Sequence, residues 1–259
     1  MSPLPELRVV SLERIRRHEK IDPLRVERLV ARIEWEGTQV NPMVCAEAPG
    51  EEALVLLDGA TRTEAFRHLG LPCAVVQIVE PAAVNLETWH HVIRQCPARE
   101  LLDRIESQNE LSLVSDEGTP RLRLADDGAY SVLGDGVSPN AALGALVDAY
   151  MGHWTVNRVT EPDVEAVAWR FPDWSVLVEF PALTIDDVMK AALGDDLLPA
   201  GITRFLVSDR ALRLNLDLEL LRSPRTLDEK QEALEELLHA RAREGRIRRY
   251  EETVVVLDD

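Results

Sequence analysis

Residues 54–70, LVLLDGATRTEAFRHLG, constrain the fold more than any other stretch of this chain. LVLL reads as a buried strand, and the polar run that ends at Gly70 reads as a helix. The chain must therefore turn sharply at Asp58-Gly59. A helix N-terminus exposes unpaired N–H groups and carries partial positive charge. Gly59 lets an anion approach that backbone. Thr61 adds a hydroxyl, and Arg62 adds a fork suited to phosphate oxygens. Asp58 has the wrong sign for an anion site. An acid beside such a site points to a bound metal ion or to proton transfer. The same residues also fit a plain turn, with Asp58 as helix cap and Arg62 paired with Glu64 or Glu19. The spacing is not that of a Walker loop, G-x-x-x-x-G-K-S/T.

The neighbouring segments read as alternating strands and helices. RVVSL, residues 8–12, is a short strand. Asp22 caps a helix with Pro23 at its first position and Gly37 at its end. Leu24, Val26, Leu29, Val30 and Ile33 give that helix an apolar face. NPMVCAEA and CAVVQIVE read as strands. Residues 1–82 thus form a domain around one small mixed sheet, and residues 83–259 form a second α/β region; the fold class is α+β. In the second region a helix is expected from Leu86 toward Arg94, and another over PARELLDRIES. Two or three short strands follow over 111–137. Helices begin at Ser138 and Thr184, and WSVLVEFPALT is a strand between them. FLVSDRALRLNLDLELL reads as strand-rich, with Leu212, Leu214, Leu216 and Leu218 alternating. LDEKQEALEELLHARAREG is a charged amphipathic helix, and VVVLDD an acidic tail.

With 259 residues, 46% of them apolar, the chain can bury a real core. Its net charge of −17 argues against a nucleic-acid partner, because a polyanion needs a basic surface. A small anion held by a few cations remains compatible. No apolar run approaches the roughly 18 residues of a membrane span, and MSPLPELRVV lacks the pattern of a secretory leader. Cys45, Cys73 and Cys96 have no metal-type spacing, and their odd number fits a reducing cytoplasm.

Other polar constellations carry two readings each. His18-Glu19 is either a solvated loop or presents a glutamate as general base toward an alcohol. Trp89-His90-His91 is either a core tryptophan with two surface histidines or a wall beside a polar site. On a helix the two histidines point about 100° apart and cannot share one metal. Gly201, Thr203 and Arg204, with Asp209-Arg210 and Arg213-Leu214-Asn215, form a polar cluster. It is either a solvated strand face, with Arg213 and Asn215 on one side, or a place where an arginine holds a substrate carboxylate. Asp195-Asp196 read as a solvated loop or a metal site.

In order, these pieces are a short strand, HE before a proline-started helix, NPMVC, and LLDGATRTEAFRHLG. Over about residues 7–80 this resembles the ParB/sulfiredoxin-like nucleotide-binding superfamily, in which a DGxxR-type turn cradles phosphates. Partition proteins have a GERR-like turn and sulfiredoxins a GCHR-like one; this chain has DGATR and no cysteine near it. With Trp89-His90-His91 and the late TR…R-L-R-L-N region added, nearly the whole chain resembles free L-serine kinases. Some of those carry histidines in a DGHHR turn, where this chain has Ala60-Thr61. The resemblance implies phosphoryl transfer from ATP or ADP, with Mg²⁺, to the hydroxyl of L-serine, giving O-phospho-L-serine for biosynthesis. It implies Glu19 and Asp58 as catalytic residues and Gly59, Ala60, Thr61 and Arg62 as the phosphate cradle. Trp89, His90, His91, Thr203 and Arg204 are implied as substrate contacts, Arg204 toward the carboxylate. The alternative is a ParB-like nucleotide-binding regulator without catalysis.

Overall fold

LVLL does fold as a strand, and it is buried on both faces. The structure, a computed structural model, describes residues 4–249. The chain runs through β1 (Leu7–Ser11), β2 (Ile15–Arg17), α1 (Pro23–Glu36), β3 (Thr38–Gln39), β4 (Met43–Glu47), β5 (Leu54–Asp58), α2 (Ala60–His68) and β6 (Cys73–Ile78). Five of these strands form a mixed sheet in the order β1-β6-β4-β5-β2. Pairs β1–β6 and β4–β5 are antiparallel, while β4–β6 and β2–β5 are parallel. Alternation along β4 and β5 sets the layers. Met43, Cys45, Leu54 and Leu56 enter one core; Val44, Ala46, Val55 and Leu57 enter another. Cover on both faces is why these strands are uninterrupted apolar runs. Helix α1 starts and stops as read. Asp22 Oδ1 accepts from the Leu24 N–H at 3.0 Å, and Gly37 ends the helix at a left-handed φ of 63°.

Next come β7 (Val84–Thr88), β8 (His90–Arg94), α3 (Ala98–Glu106), β9 (Leu111–Val114), β10 (Arg121–Leu124) and β11 (Ala129–Gly134). They are followed by α4 (Pro139–Asp148), β12 (Thr155–Val159), α5 (Val164–Arg170), β13 (Trp174–Glu179), α6 (Ile185–Leu193) and β14 (Thr203–Val207). A second sheet has the order β12-β8-β13-β10-β11-β9, with every neighbour antiparallel. Side chains from α3, α4 and α6 share its core with the outer face of the first sheet. Val167 and Phe171, at and just after α5, cover Val92 and Leu177 on its other face. Strand β14 pairs with β7.

The helix expected from Leu86 toward Arg94 is instead the strands β7 and β8. His91, Val92 and Ile93 are all fully buried, with β12 on one side and β13 on the other. A central strand buries successive residues on opposite faces, and β-branched Val92 and Ile93 suit that setting.

After β14 the chain returns to the first sheet through β15 (Leu216–Asp217), α7 (Leu218–Arg222) and α8 (Leu227–Arg243). Leu214, Leu216, Leu218, Leu221 and Leu234 join the core that holds Met43 and Leu56. Gln231 Oε1 on α8 accepts from the Val9 N–H at 2.8 Å. A segment that follows the second sheet in sequence thus packs on the first in space. The strand read through RALRLNLDL shrinks to β15. Arg213 and Asn215 have left-handed φ values of 56° and 44°, which a strand does not allow, so they share no strand face. The leucine alternation survives because a loop turns Leu214, Leu216 and Leu218 inward, while Leu212 stays exposed. The acidic tail at 254–259 lies outside the described residues. Cys45, Cys73 and Cys96 are buried and unpaired. No described helix is long and apolar enough to cross a membrane.

Candidate functional site

Two joints face one another across a cleft of about 570 Å³. The first is the β5–α2 turn. Gly59 has φ 105°, a conformation that favours glycine, and a Cβ there would press on Met43 Cγ at 3.1 Å. No side chain caps α2. Its first internal bond is the Thr63 N–H to the Gly59 carbonyl at 2.8 Å, so the amides of Ala60, Thr61 and Arg62 precede the helical ladder at the cleft. This end of the helix has the form of an anion site.

Arg62 serves the turn from within. Its Nη1 donates to the carbonyls of Asn41 at 2.8 Å and Pro42 at 2.9 Å. Its Nη2 donates to Asp58 Oδ2 at 3.3 Å. Arg210 pairs with the same carboxylate oxygen from the loop after β14. Gln77 fixes that loop by accepting from the Ala211 N–H at 2.8 Å. Asp58 thus stands at the phosphate end with one built-in and one loop-borne arginine upon it.

The second joint brings Glu19 to the cleft. The loop before it is not solvated. His18 is buried, with Nδ1 2.7 Å from the Leu56 carbonyl and Nε2 3.0 Å from Thr203 Oγ1. Burial pushes its pKa below the ordinary histidine range. The backbone on either side bonds Leu198: its N–H donates to the His18 carbonyl, and the Lys20 N–H to its carbonyl. Glu19 Oε2 accepts from the Gly201 N–H at 2.9 Å. Gly201 has φ 80° and its carbonyl lies 3.2 Å from His91 Nε2. His91 Nδ1 in turn lies 2.7 Å from the hydroxyl of Tyr150, which is fully buried. Neutral His91 can donate from Nε2 and accept from the tyrosine. Burial, the largest influence, lowers its pKa to about 4. A relay of Tyr150, His91 and Gly201 therefore sets the position of Glu19.

Of the residues expected at the site, Glu19, Asp58, Gly59, Ala60, Thr61, Arg62, Trp89, Thr203 and Arg204 all line this cleft. His90 and His91 do not. On a strand they point to opposite faces, both are buried, and His90 Nδ1 accepts from the Phe180 N–H at 3.1 Å. His91 supports the site from behind. Arg204 lies over the Trp89 ring, with Cζ 4.8 Å from the centroid, and its Nη1 is 2.5 Å from Glu87 Oε2. Its charge already has a carboxylate. Asp196 accepts from Ser138 Oγ at 2.8 Å, outside the cleft lining. Lys20, Arg25 and Arg158 also line the cleft and carried no signal in sequence. Arg158 sits in HWTVNRVTE, where no motif surrounds it; only the sheet brings it to Gly201.

Both arginines meet Asp58 through Oδ2, which leaves Oδ1 beside the uncapped helix end; this suits Mg²⁺, which keeps much of its water and is bound through one or two carboxylates and phosphates. Asp58 would be the residue to hold it.

No family model matches the chain. The ATP-dependent L-serine kinase SbnI of Staphylococcus aureus is 23% identical over 221 residues, covering 83% of this chain and 84% of that protein. The solved structure of SbnI with a C-terminal truncation superposes with a TM-score of 0.76 at 20% identity, covering 91% of this chain and 97% of the other. A free serine kinase in complex with AMP gives 0.74 at 16% identity, with 85% and 95% covered. Over most of its length, then, the chain has the fold of the free serine kinases and is a sequence relative of one of them.

Proposed function

We propose that the protein transfers the γ-phosphoryl group of ATP to the hydroxyl of free L-serine, releasing ADP and O-phospho-L-serine, an activated building block for biosynthesis. The observation that carries this reading is the opposition of two groups across one cleft. A glutamate held by a backbone N–H faces a glycine-led, uncapped helix end that has an acid at its root. The named activities of its relatives, and nucleotide-bound structures of one of them, support it.

The amides at the start of α2 take the phosphates, and the Thr61 hydroxyl is a further donor there. Asp58 would hold Mg²⁺, which when bound would neutralise phosphate charge. Arg210 can leave Asp58 for a phosphate oxygen, because its loop is separate from the turn. Glu19 accepts the serine hydroxyl proton as oxygen attacks phosphorus. The Gly201 N–H fixes the carboxylate so that the reacting atoms need little reorganisation. Trp89, Thr203 and Arg204 wall the acceptor side.

Mass spectrometry of phosphoserine formed from ATP and L-serine tests the reading. Glu19→Gln should lower kcat about 10²- to 10⁴-fold, the range for a general base, with nucleotide affinity retained. A Glu19→Gln enzyme with wild-type turnover would remove the base from this scheme.

A further inference from the structure

We propose that Arg158 holds the carboxylate of the acceptor, so that the cleft selects a free amino acid over an amine or an amide. The proposal rests on the kinase reading above. Arg158 stands on β12 opposite His91. Its guanidinium lies against Gly201 so closely that a Cβ there would sit 2.5 Å from Arg158 Cζ. The same glycine's N–H holds Glu19. Base and guanidinium are therefore both seated on one residue.

The other cleft arginines are differently employed. Arg62 is bound to two carbonyls and Asp58, Arg204 to Glu87 and Trp89, and Arg210 to Asp58. Arg25 and Arg158 are both exposed, but it is the Arg158 guanidinium that lies against Gly201, the residue that holds the base. Among the described residues, Arg158 donates no hydrogen bond and makes no ion pair. Partial desolvation and the nearby charge of Arg25 disfavour its charge, and the Glu19 carboxylate partly offsets them. Glu19 is held by the Gly201 N–H and does not bond the guanidinium, so the fork's donors remain for an anion that enters the cleft. Phosphates are provided for at α2, across the cleft. The anion beside the base is then the acceptor's own. Serine bears its hydroxyl and its carboxylate on neighbouring carbons, so a serine whose hydroxyl meets Glu19 brings its carboxylate toward Arg158. A flat carboxylate matches the guanidinium fork.

The test compares wild type, Arg158→Gln and Arg158→Lys in steady-state kinetics with L-serine, L-serinamide and ethanolamine. Calorimetry of L-serine binding in the presence of Mg²⁺ and ADP runs beside it. Thermal melting confirms that each variant is folded. Arg158→Gln should raise the KM for serine about 10- to 100-fold and weaken serine binding equally, the range for a lost hydrogen bond to a charged group. The KM for ATP should stay within about twofold, and Arg158→Lys should recover part of the loss. Wild type should strongly prefer serine to serinamide and ethanolamine. A serine KM within about twofold of wild type in Arg158→Gln, or equal use of serinamide, overturns the proposal. Serine binding that depends on Arg158, without phosphoserine formation by wild type, would uphold the carboxylate site and refute the kinase reading. Absence of both binding and turnover in wild type refutes both.

Discussion

Replacing Gly201 by alanine separates the stability of this site from its function. Gly201 has φ 80°, where an L-residue costs about 1–2 kcal/mol relative to glycine. At about 2–4 °C per kcal/mol for a domain of this size, the melting temperature should fall by about 2–8 °C. The new methyl would also lie 2.5 Å from Arg158 Cζ and 3.1 Å from its Nε. The guanidinium is the far end of a flexible side chain, so it moves aside cheaply and adds little to the stability loss. Its displacement is felt in kinetics. Arg158 leaves its seat, and the N–H that holds Glu19 shifts with the backbone. Serine kcat/KM should fall about 10- to 1,000-fold while nucleotide KM stays near wild type. Differential scanning calorimetry and steady-state assays on one preparation measure both quantities. A lowered melting temperature with unchanged serine kcat/KM would refute the idea that Gly201 seats the catalytic and acceptor-binding groups.

Other perturbations address separate parts of the account. His91 has a pKa lowered from about 6.5 to about 4, so between those values the unfolded chain binds more protons than the folded one. Its contribution to stability is complete above about pH 6.5 and declines by about 3 kcal/mol as pH falls to about 4. Urea unfolding of wild type and His91→Gln across that window should show a flatter pH dependence in the variant; equal slopes would contradict it. The two arginines on Asp58 should behave differently. Arg62→Ala strands two carbonyls and should destabilise the fold by about 2–3 kcal/mol in chemical unfolding. Arg210→Ala should leave stability within about 0.5 kcal/mol yet raise the KM for ATP about tenfold; a large loss of stability there would make the loop arginine structural. Asp58→Asn should lower turnover about 100-fold or more and blunt the dependence on Mg²⁺ concentration, and an unchanged Mg²⁺ titration would take the metal away from Asp58.

The phosphate end of the site was legible because its parts are contiguous. A strand, a glycine turn and a helix start require only local rules, and residues 54–70 contain them all. Helix caps at Asp22, Ser138 and Thr184 were legible for the same reason. The acceptor end is assembled from β12, the loop before β14 and the bridge at Glu19, over 180 residues apart in sequence. No local pattern marks Arg158 or the role of Gly201. Residues 90–94 were misread because a strand central to an antiparallel sheet buries both faces, which removes the alternation that distinguishes it from a helix. The loop at 209–215 failed in the opposite sense. Its leucines alternate because they anchor an irregular segment on a core, and left-handed Arg213 carries no composition signal of its own.

Catalysis in this cleft comes down to one event: a hydroxyl presented to Glu19 receives a phosphoryl group from a nucleotide seated on α2. Phosphorus NMR of the purified protein with Mg²⁺ and L-serine, with ATP and ADP in parallel samples, follows donor and acceptor together. The account predicts a serine-dependent phosphomonoester signal that grows with ADP from the ATP sample. Nucleotide consumed without phosphoserine, or no turnover with either donor, would contradict it.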